Sequence, residues 1–284
     1  MICELRERYS LDVLLQISGI PRSTYYYRAK HLDDKAKKDR EILPVIKKIF
    51  QENHRKYGYP RVTQELKNRG YHINKKRVAR LMKENHLSAS TRKRQYHSYR
   101  GQVGKIAPNV LSQDFKTTAP YEKLGTDVTQ FITQYGKLFL SPVIDFHTRE
   151  ILAYDLSETA NYAQIKRMLN KLVKAHGKHL RGAVLHSDQG WQYQMQQYRD
   201  FLRENGMIQS MSRKGNCLDN SPTENFFGRM KTEIYYDQEY SFSSLEHLKL
   251  VIRDYIEYYN NDRIVSRLKC SPIRYRISHS SGSV

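Results

Sequence analysis

Along the first ninety positions apolar residues recur at helical spacing. Residues 11–28, LDVLLQISGIPRSTYYYR, read as a short apolar helix, a turn at Gly19-Ile20-Pro21 and a second helix. Pro21 suits the first turn of that helix, where its missing N–H costs little. Farther on, Ile42, Val45, Ile46 and Ile49 keep the period of one helix face. The chain then bends at YGYP (57–60), and RVTQELKNRG forms another helix that stops at Gly70. Asn74 stands where it would cap KKRVARLMKENHL, in which Val78, Leu81 and Met82 share an inward face. The pattern is helix-turn-helix grammar met twice, in segments 1–35 and 40–90. A plain helical hairpin reads the same way, so pattern alone leaves groove readout open.

Residues 91–118 carry no sustained period and read as a basic linker that orders on a polyanion. From about 119 the pattern changes. EKLGTDVTQFIT alternates around Leu124, Thr126 and Val128, and KLFLSPVIDF (137–146) and EILAYDLS (150–157) are two more strands separated by a short HTR connection. A helix with Tyr162, Ile165, Met168, Leu169 and Leu172 on its apolar face follows. Next come the short buried strand AVLHSD (183–188), a helix over WQYQMQQYRDFLREN and a strand at MIQSMS. Helices over SPTENFFGRMKTEIYY and from Leu245 to about Asn260 complete the unit. Three antiparallel strands, a crossover helix, another strand and then helices is the order of a ribonuclease-H-like fold, a mixed sheet with flanking helices. The expected core spans 119–280.

Charge divides the chain at the same place. Residues 1–118 hold 27 Lys+Arg against 11 Asp+Glu, a net +16, whereas 119–284 hold 22 against 18, a net +4. A basic front joined to a nearly balanced back points to a polyanion-binding module, because neutralising phosphates releases counterions. Arg22, Arg28, Arg61, Lys75, Lys76, Arg77, Arg80, Arg92, Lys93 and Arg94 are the candidate DNA contacts; a solvated basic face is the plainer reading of the same residues. Mean hydropathy is −0.77, and no apolar run approaches the roughly 20 residues that cross a bilayer. MICELRERYSLD lacks the apolar stretch of a secretory signal. The three cysteines, Cys3, Cys217 and Cys270, form no CxxC pair, which speaks against a disulfide framework or a cysteine zinc site.

Three carboxylates sit where such a core can gather them. Asp127 lies within the first strand, Asp188 ends AVLHSD, and Glu224 falls in the first turn of the SPTENFF helix. Cutting a phosphodiester without a covalent intermediate needs an activated water or 3′-hydroxyl and a stabilised phosphorane-like centre. Two Mg²⁺ or Mn²⁺ ions on oxygen ligands can supply both. Each residue has a plainer reading as well: a polar residue on an edge strand, a turn aspartate before Gly190, and a capping-box glutamate paired with Ser221.

The surroundings of these residues resemble a known family. HSDQGWQY (186–193), RKGNCLDNSPTENFFGRMKTE (213–233) and the 35 residues between Asp188 and Glu224 resemble the retroviral-integrase-like DDE transposases. Within them the chain resembles the catalytic OrfB subunit of bacterial insertion sequences that move by copy-out and paste-in. YGYPRVTQELKNRGYHINKKRVARLMKE (57–84) and YIEYYNNDRIVSRLKCSPIRYR (255–276) match the family's helix-turn-helix and its tail. The resemblance implies that Asp127, Asp188 and Glu224 together are the catalytic metal ligands of a DDE polynucleotidyl transferase using two divalent ions. It implies that Lys231, seven positions after Glu224, reaches a DNA phosphate. Phe226 and Phe227 are expected to pack the helix on the sheet and Trp191 to pack in the core. Expected partners are double-stranded DNA (terminal inverted repeats and target), a second copy of the chain on DNA, and an upstream OrfA protein or fusion, in a bacterial cytoplasm beside the nucleoid. A non-catalytic DNA-binding remnant or regulator and a hydrolysis-only nuclease on the same fold are the rival readings.

Overall fold

The computed structural model describes residues 5–89, 104–213 and 217–280. The chain forms two compact units, Met1–Ala89 and Ser90–Val284.

In the first unit α1 (Leu11–Ser18) ends at Gly19 in the left-handed region, and α2 (Arg22–Glu52) begins just after Pro21. Leu11, Leu15 and Tyr25 close a small core between them, with Ile20 against it. The helix α2 then runs on through the interval between residues 35 and 40, where the sequence pattern separates two segments. DDKAKKDRE is polar throughout and rich in helix formers, so it holds a helix without showing an apolar period. Against the last turns of α2 pack α3 (Tyr59–Asn68) and α4 (Lys75–Glu84). Ile46, Ile49, Val62, Leu66, Val78, Leu81 and Met82 are buried there. Asn74 caps α4 as its sequence position suggests, its side chain accepting the Lys76 N–H at 2.8 Å.

The second unit is a mixed sheet between two helical layers. Its strands are β1 (Lys123–Thr126), β2 (Thr129–Thr133), β3 (Gly136–Asp145), β4 (Ile151–Ser157), β5 (Val184–Ser187) and β6 (Ile208–Met211). The order is β2-β3-β1-β5-β6, with β4 on the other edge of β3. β1 and β2 keep one register against β3, Thr126 facing Val143 and Thr129 facing Leu140, so they act as one strand interrupted at Asp127 and Val128. Opposite the interruption lie Ser141 and Pro142, and a proline has no N–H to give a ladder. The crossover helix α5 (Tyr162–His176) returns the chain to β5, which pairs parallel with β1 and with β6.

Alternation along the strands divides the core. Leu124, Val143 and Leu185 face α5 and α6 (Gln196–Glu204) with Ile165, Met168, Leu172 and Leu202. Phe131, Leu140, Ile144 and Phe146 face α7 (Ser221–Ile234) and α8 (Leu245–Asn261). Phe226 and Phe227 fix α7 to that face, as expected of them. A last helix, α9 (Pro272–Ser280), lies against α8. Residues 104–118 do not behave as a free linker: Leu111 is buried in the second core, and Phe115 meets the Phe146 ring edge-on with centroids 5.6 Å apart. Two apolar anchors in a segment without a period suffice to dock it. Among the described residues no helix is long and apolar enough to cross a membrane.

Candidate active site

The register of β1 against β5 decides where the aspartates go. Leu124 is abreast of Leu185 and Gly125 of His186, so continuing the pairing brings Asp127 abreast of Asp188 at the carboxyl ends of two parallel strands. Side chains at such ends project from the sheet edge, where open α/β sheets place their chemistry. Both carboxylates are anchored by local backbone. Where the strand is interrupted, the Val128 N–H is donated to Asp127 Oδ1 at 2.7 Å, and the Gly190 N–H is donated to Asp188 Oδ1 at 2.9 Å.

Glu224 arrives on α7, and a glycine admits that helix. A Cβ on Gly125 would stand 2.4 Å from the Phe146 ring and 2.6 Å from Thr223 Oγ1. Only a residue without a side chain lets the first turn of α7 come down on β1 two positions before Asp127. The helix starts at Ser221 with Asn220 as its cap residue, so Ser221 and Glu224 do not occupy the positions of a capping box. Asn220 instead turns its amide to the site, donating Nδ2–H to Asp127 Oδ2 at 3.3 Å.

Electrostatics reports the crowding. Burial, then the charge of Asp188, pushes the Asp127 carboxyl well above the ordinary carboxylate range; Glu224 adds to this, while the Val128 N–H and Lys231 oppose it. Burial also raises Asp188, against the Gly190 hydrogen bond. Among the described residues no three His, Cys, Asp or Glu side chains converge closely enough to hold a metal ion as they stand. The donor chemistry nevertheless suits a hard divalent cation: the three groups are all carboxylates, and burial raises two of them, so an ion that shared their charge would offset the cost of keeping them ionised there.

Comparison with known proteins covers the segments that carry these residues. An HTH-like domain family matches residues 37–95, and integrase core domain families match 117–217 and 224–279. The transposase InsK of insertion sequence element IS150 from Escherichia coli K12 is 49% identical over 274 residues, covering 96% of this chain and 95% of that protein. A transposase-like protein of Haemophilus influenzae is 51% identical over 72% of this chain and 93% of its own length. The chain belongs to the insertion-sequence transposases with an integrase core. Among solved structures, the HTLV-2 integrase catalytic core domain superposes at a TM-score of 0.44 and 12% identity, over 57% of this chain and 99% of that one.

Several other expected site residues of the transposase have partners within the protein. The resemblance puts Lys231 at a phosphate, but its Nζ donates to the Gln130 carbonyl at 2.7 Å and lies 5.1 Å from the centre of the Phe131 ring. Burial pushes its amine down to about 8, with Asp127 pulling the other way. Trp191 is not core: it stands 38% exposed on a 3₁₀ turn (Trp191–Tyr193), and α6 begins only at Gln196. Arg77 Nε and Arg80 reach the two oxygens of Asp39 at 2.6 and 2.5 Å, and Arg80 also pairs with Glu84 at 3.0 Å. Arg22 pairs with Asp12 at 2.7 Å. The Arg61 guanidinium and the Lys75 ammonium each lie 5.5 Å from a tyrosine ring, of Tyr57 and Tyr59, and Lys75 and Lys76 are exposed at the start of α4. The side chain of Arg28, and Arg92, Lys93 and Arg94 altogether, lie outside the described residues.

Sequence reasoning missed several neighbours. Tyr193 is fully buried, and burial together with Asp127 and Asp188 raises its phenol; its place at the end of HSDQGWQY was the available signal. The tail motif proves structural. Asn260 exchanges two hydrogen bonds with the Ile151 backbone, and the buried Arg263 pairs with Glu233, on α7, which also accepts the Tyr255 hydroxyl. Thus the tail clasps the helix that carries Glu224.

Proposed function

We propose that this transposase cuts and joins double-stranded DNA with Asp127, Asp188 and Glu224 as its catalytic carboxylates. The observation that carries the reading is the register that brings the two aspartates abreast just past the ends of β1 and β5, with the Glu224 helix drawn over Gly125. The three would hold Mg²⁺ or Mn²⁺, two ions to a site. Bound there, such ions lower the pKa of water and neutralise charge at the scissile phosphate.

In the proposed reaction a water oxygen bonds to phosphorus at an element end, loses its proton, and the P–O3′ bond breaks to free a 3′-hydroxyl. That hydroxyl then bonds to phosphorus in a second DNA, displacing another 3′-oxygen, so one phosphodiester is exchanged for another and no energy source is required. The chain's part is largely positional. Asp127 has one oxygen on the Val128 N–H and the other on the Asn220 amide, which fixes its orientation before DNA arrives. Lys231, with its amine near 8, is mostly charged at neutral pH and sets a positive group beside Asp127. Segment 40–90 would bind the element end, with Lys75 and Lys76 at the positive start of α4 and Arg61 nearby as phosphate contacts, and with Arg77 and Arg80 holding the helices through Asp39. Two ends must be paired, so a homo-oligomer on DNA and an OrfA partner or fusion belong to the same proposal.

The test is a gel assay with labelled element-end DNA and Mg²⁺, run on the chain alone and fused to OrfA, comparing wild type with Glu224→Gln. Glu224-dependent joined products are expected. Binding without cleavage in every form would favour a DNA-binding remnant, and cleavage without joining would favour a nuclease.

A further inference from the structure

The buried carboxylate of Asp219 lies outside the proposed chemistry, yet among the described residues it is densely hydrogen-bonded. It keeps 1% of its surface exposed and accepts from five donors. Arg213 supplies three of them, its backbone N–H at 2.9 Å and its Nε–H and terminal N–H at 3.0 Å each. Asn109 Nδ2 donates at 3.0 Å and Gln113 Nε2 at 2.9 Å. One side chain therefore ties together the segment before β1, the chain leaving β6 and the 3₁₀ turn (Cys217–Asn220) that leads into α7.

Two further features aim this knot at the site. The next residue, Asn220, is the one that donates to Asp127 Oδ2, and it is itself 4% exposed, its Oδ1 buried and without a hydrogen-bond partner among the described residues. An unpaired buried amide oxygen costs free energy, so an arrangement that keeps it beside the carboxylates has to be enforced by something else. The segment before β1 is pinned a second time: the Val110 N–H donates to Ser210 Oγ at 3.0 Å, and that hydroxyl contacts His186 Nδ1 at 2.9 Å, two residues before Asp188.

We infer that Asp219 is a positioning residue for the proposed metal-binding site: it locks the turn before α7 so that the Asn220 amide stays on Asp127 and holds that carboxylate in place for a cation. The inference rests on the carboxylate reading above. Asp219 touches none of the reacting groups, and it acts through Asn220.

The test uses the full chain and Trp191, its single tryptophan, three residues after Asp188. Mn²⁺ quenching of Trp191 fluorescence, with Mg²⁺ as competitor, reads cation binding without DNA or turnover. Asp219→Asn and Asn220→Ala are expected to weaken Mn²⁺ binding about tenfold while circular dichroism and element-end binding match wild type. The paired Asn109→Ala and Gln113→Ala change, which leaves Arg213 on the carboxylate, is expected to weaken it less. Asp145→Asn is the control for a structural loss. That acid is also buried and accepts backbone N–H groups of Tyr121 and His147 at 2.8 and 2.7 Å, so its variant should lose stability and keep Mn²⁺ affinity. Wild-type Mn²⁺ affinity in a folded Asp219→Asn would overturn the inference alone. No quenching in wild type, or quenching unchanged in Asp188→Asn, would overturn the carboxylate reading and the inference with it.

Discussion

The two units handle charge in opposite ways. At the helix-turn-helix, burial would raise the Asp39 carboxyl, but hydrogen bonds from Arg80 and Arg77 outweigh it and hold the group below its ordinary range. At the end of the sheet, Asp127 and Asp188 are brought abreast and both are raised. The first arrangement is complete in the protein alone. The second buries two carboxylates without a compensating ion pair among the described residues, the larger part of the shift coming from burial and, at Asp127, a further part from the charge of Asp188. A bound cation would offset both, as expected of a site shaped for a ligand rather than for stability.

The sharpest way to break the contrast is to remove one of the proposed catalytic carboxylates. Asp188→Asn or Glu224→Gln should lower strand joining on the order of 10³-fold, since cation-assisted charge stabilisation contributes several kcal/mol. Element-end binding in a gel-shift assay should persist. Intact joining in a folded variant would end the mechanism.

Gly125→Ala tests whether the helix must come so close. With Phe146 at 2.4 Å and Thr223 at 2.6 Å, the added methyl should cost about 1–3 kcal/mol by overpacking. Thermal unfolding gives that loss, and joining should fall further than the loss of folded protein accounts for.

Neutralising one acid in each unit should move stability in opposite directions. Asp39→Ala leaves two arginines facing each other and should destabilise by about 1–2 kcal/mol, after allowance for their partial exposure. Asp127→Asn should raise the melting temperature of the metal-free protein at pH 7. The pH dependences differ likewise. Asp39, with its folded pKa lowered, contributes stability above its unfolded value that is lost as pH falls through the folded one. Asp127 and Asp188, with folded pKa values raised, contribute stability at low pH that is lost as pH rises from the unfolded value through the folded one. Mg²⁺ should restore part of it in wild type and not in Asp188→Asn.

The smallest effect belongs to the lysines at the start of α4. Replacing Lys75 and Lys76 by Ala should reduce the slope of log affinity against log salt by about 0.9 for each phosphate that is no longer neutralised. The same change at Arg77 should appear in urea unfolding before it appears in the salt slope, because Arg77 is committed to Asp39.

Much of this was legible because it is local or periodic. The caps and apolar faces of α3 and α4 follow from helical spacing, and Asn74 reads as a cap because only short polar side chains return to the backbone there. The strands of the core follow from alternation, and the three carboxylates from motifs dense enough to name a family. Long-range pairing was not legible. Lys231 reads as a phosphate contact, and nothing local shows that β2 supplies it the Gln130 carbonyl; Arg77 and Arg80 read as DNA contacts, and nothing local shows that α2 supplies them Asp39. Asp219 sits in a stretch read for its glutamate, and Asn109 and Gln113 in one read as linker. Sequence by itself determined most of the elements, the family and the candidate carboxylates, since these rest on neighbouring residues and their order, but not the continuity of α2 or the docking of 104–118. The tertiary structure alone decided which charges are compensated. That depends on partners as far as 126 positions away, brought together by a strand register in which each residue's height is set by the chain on either side.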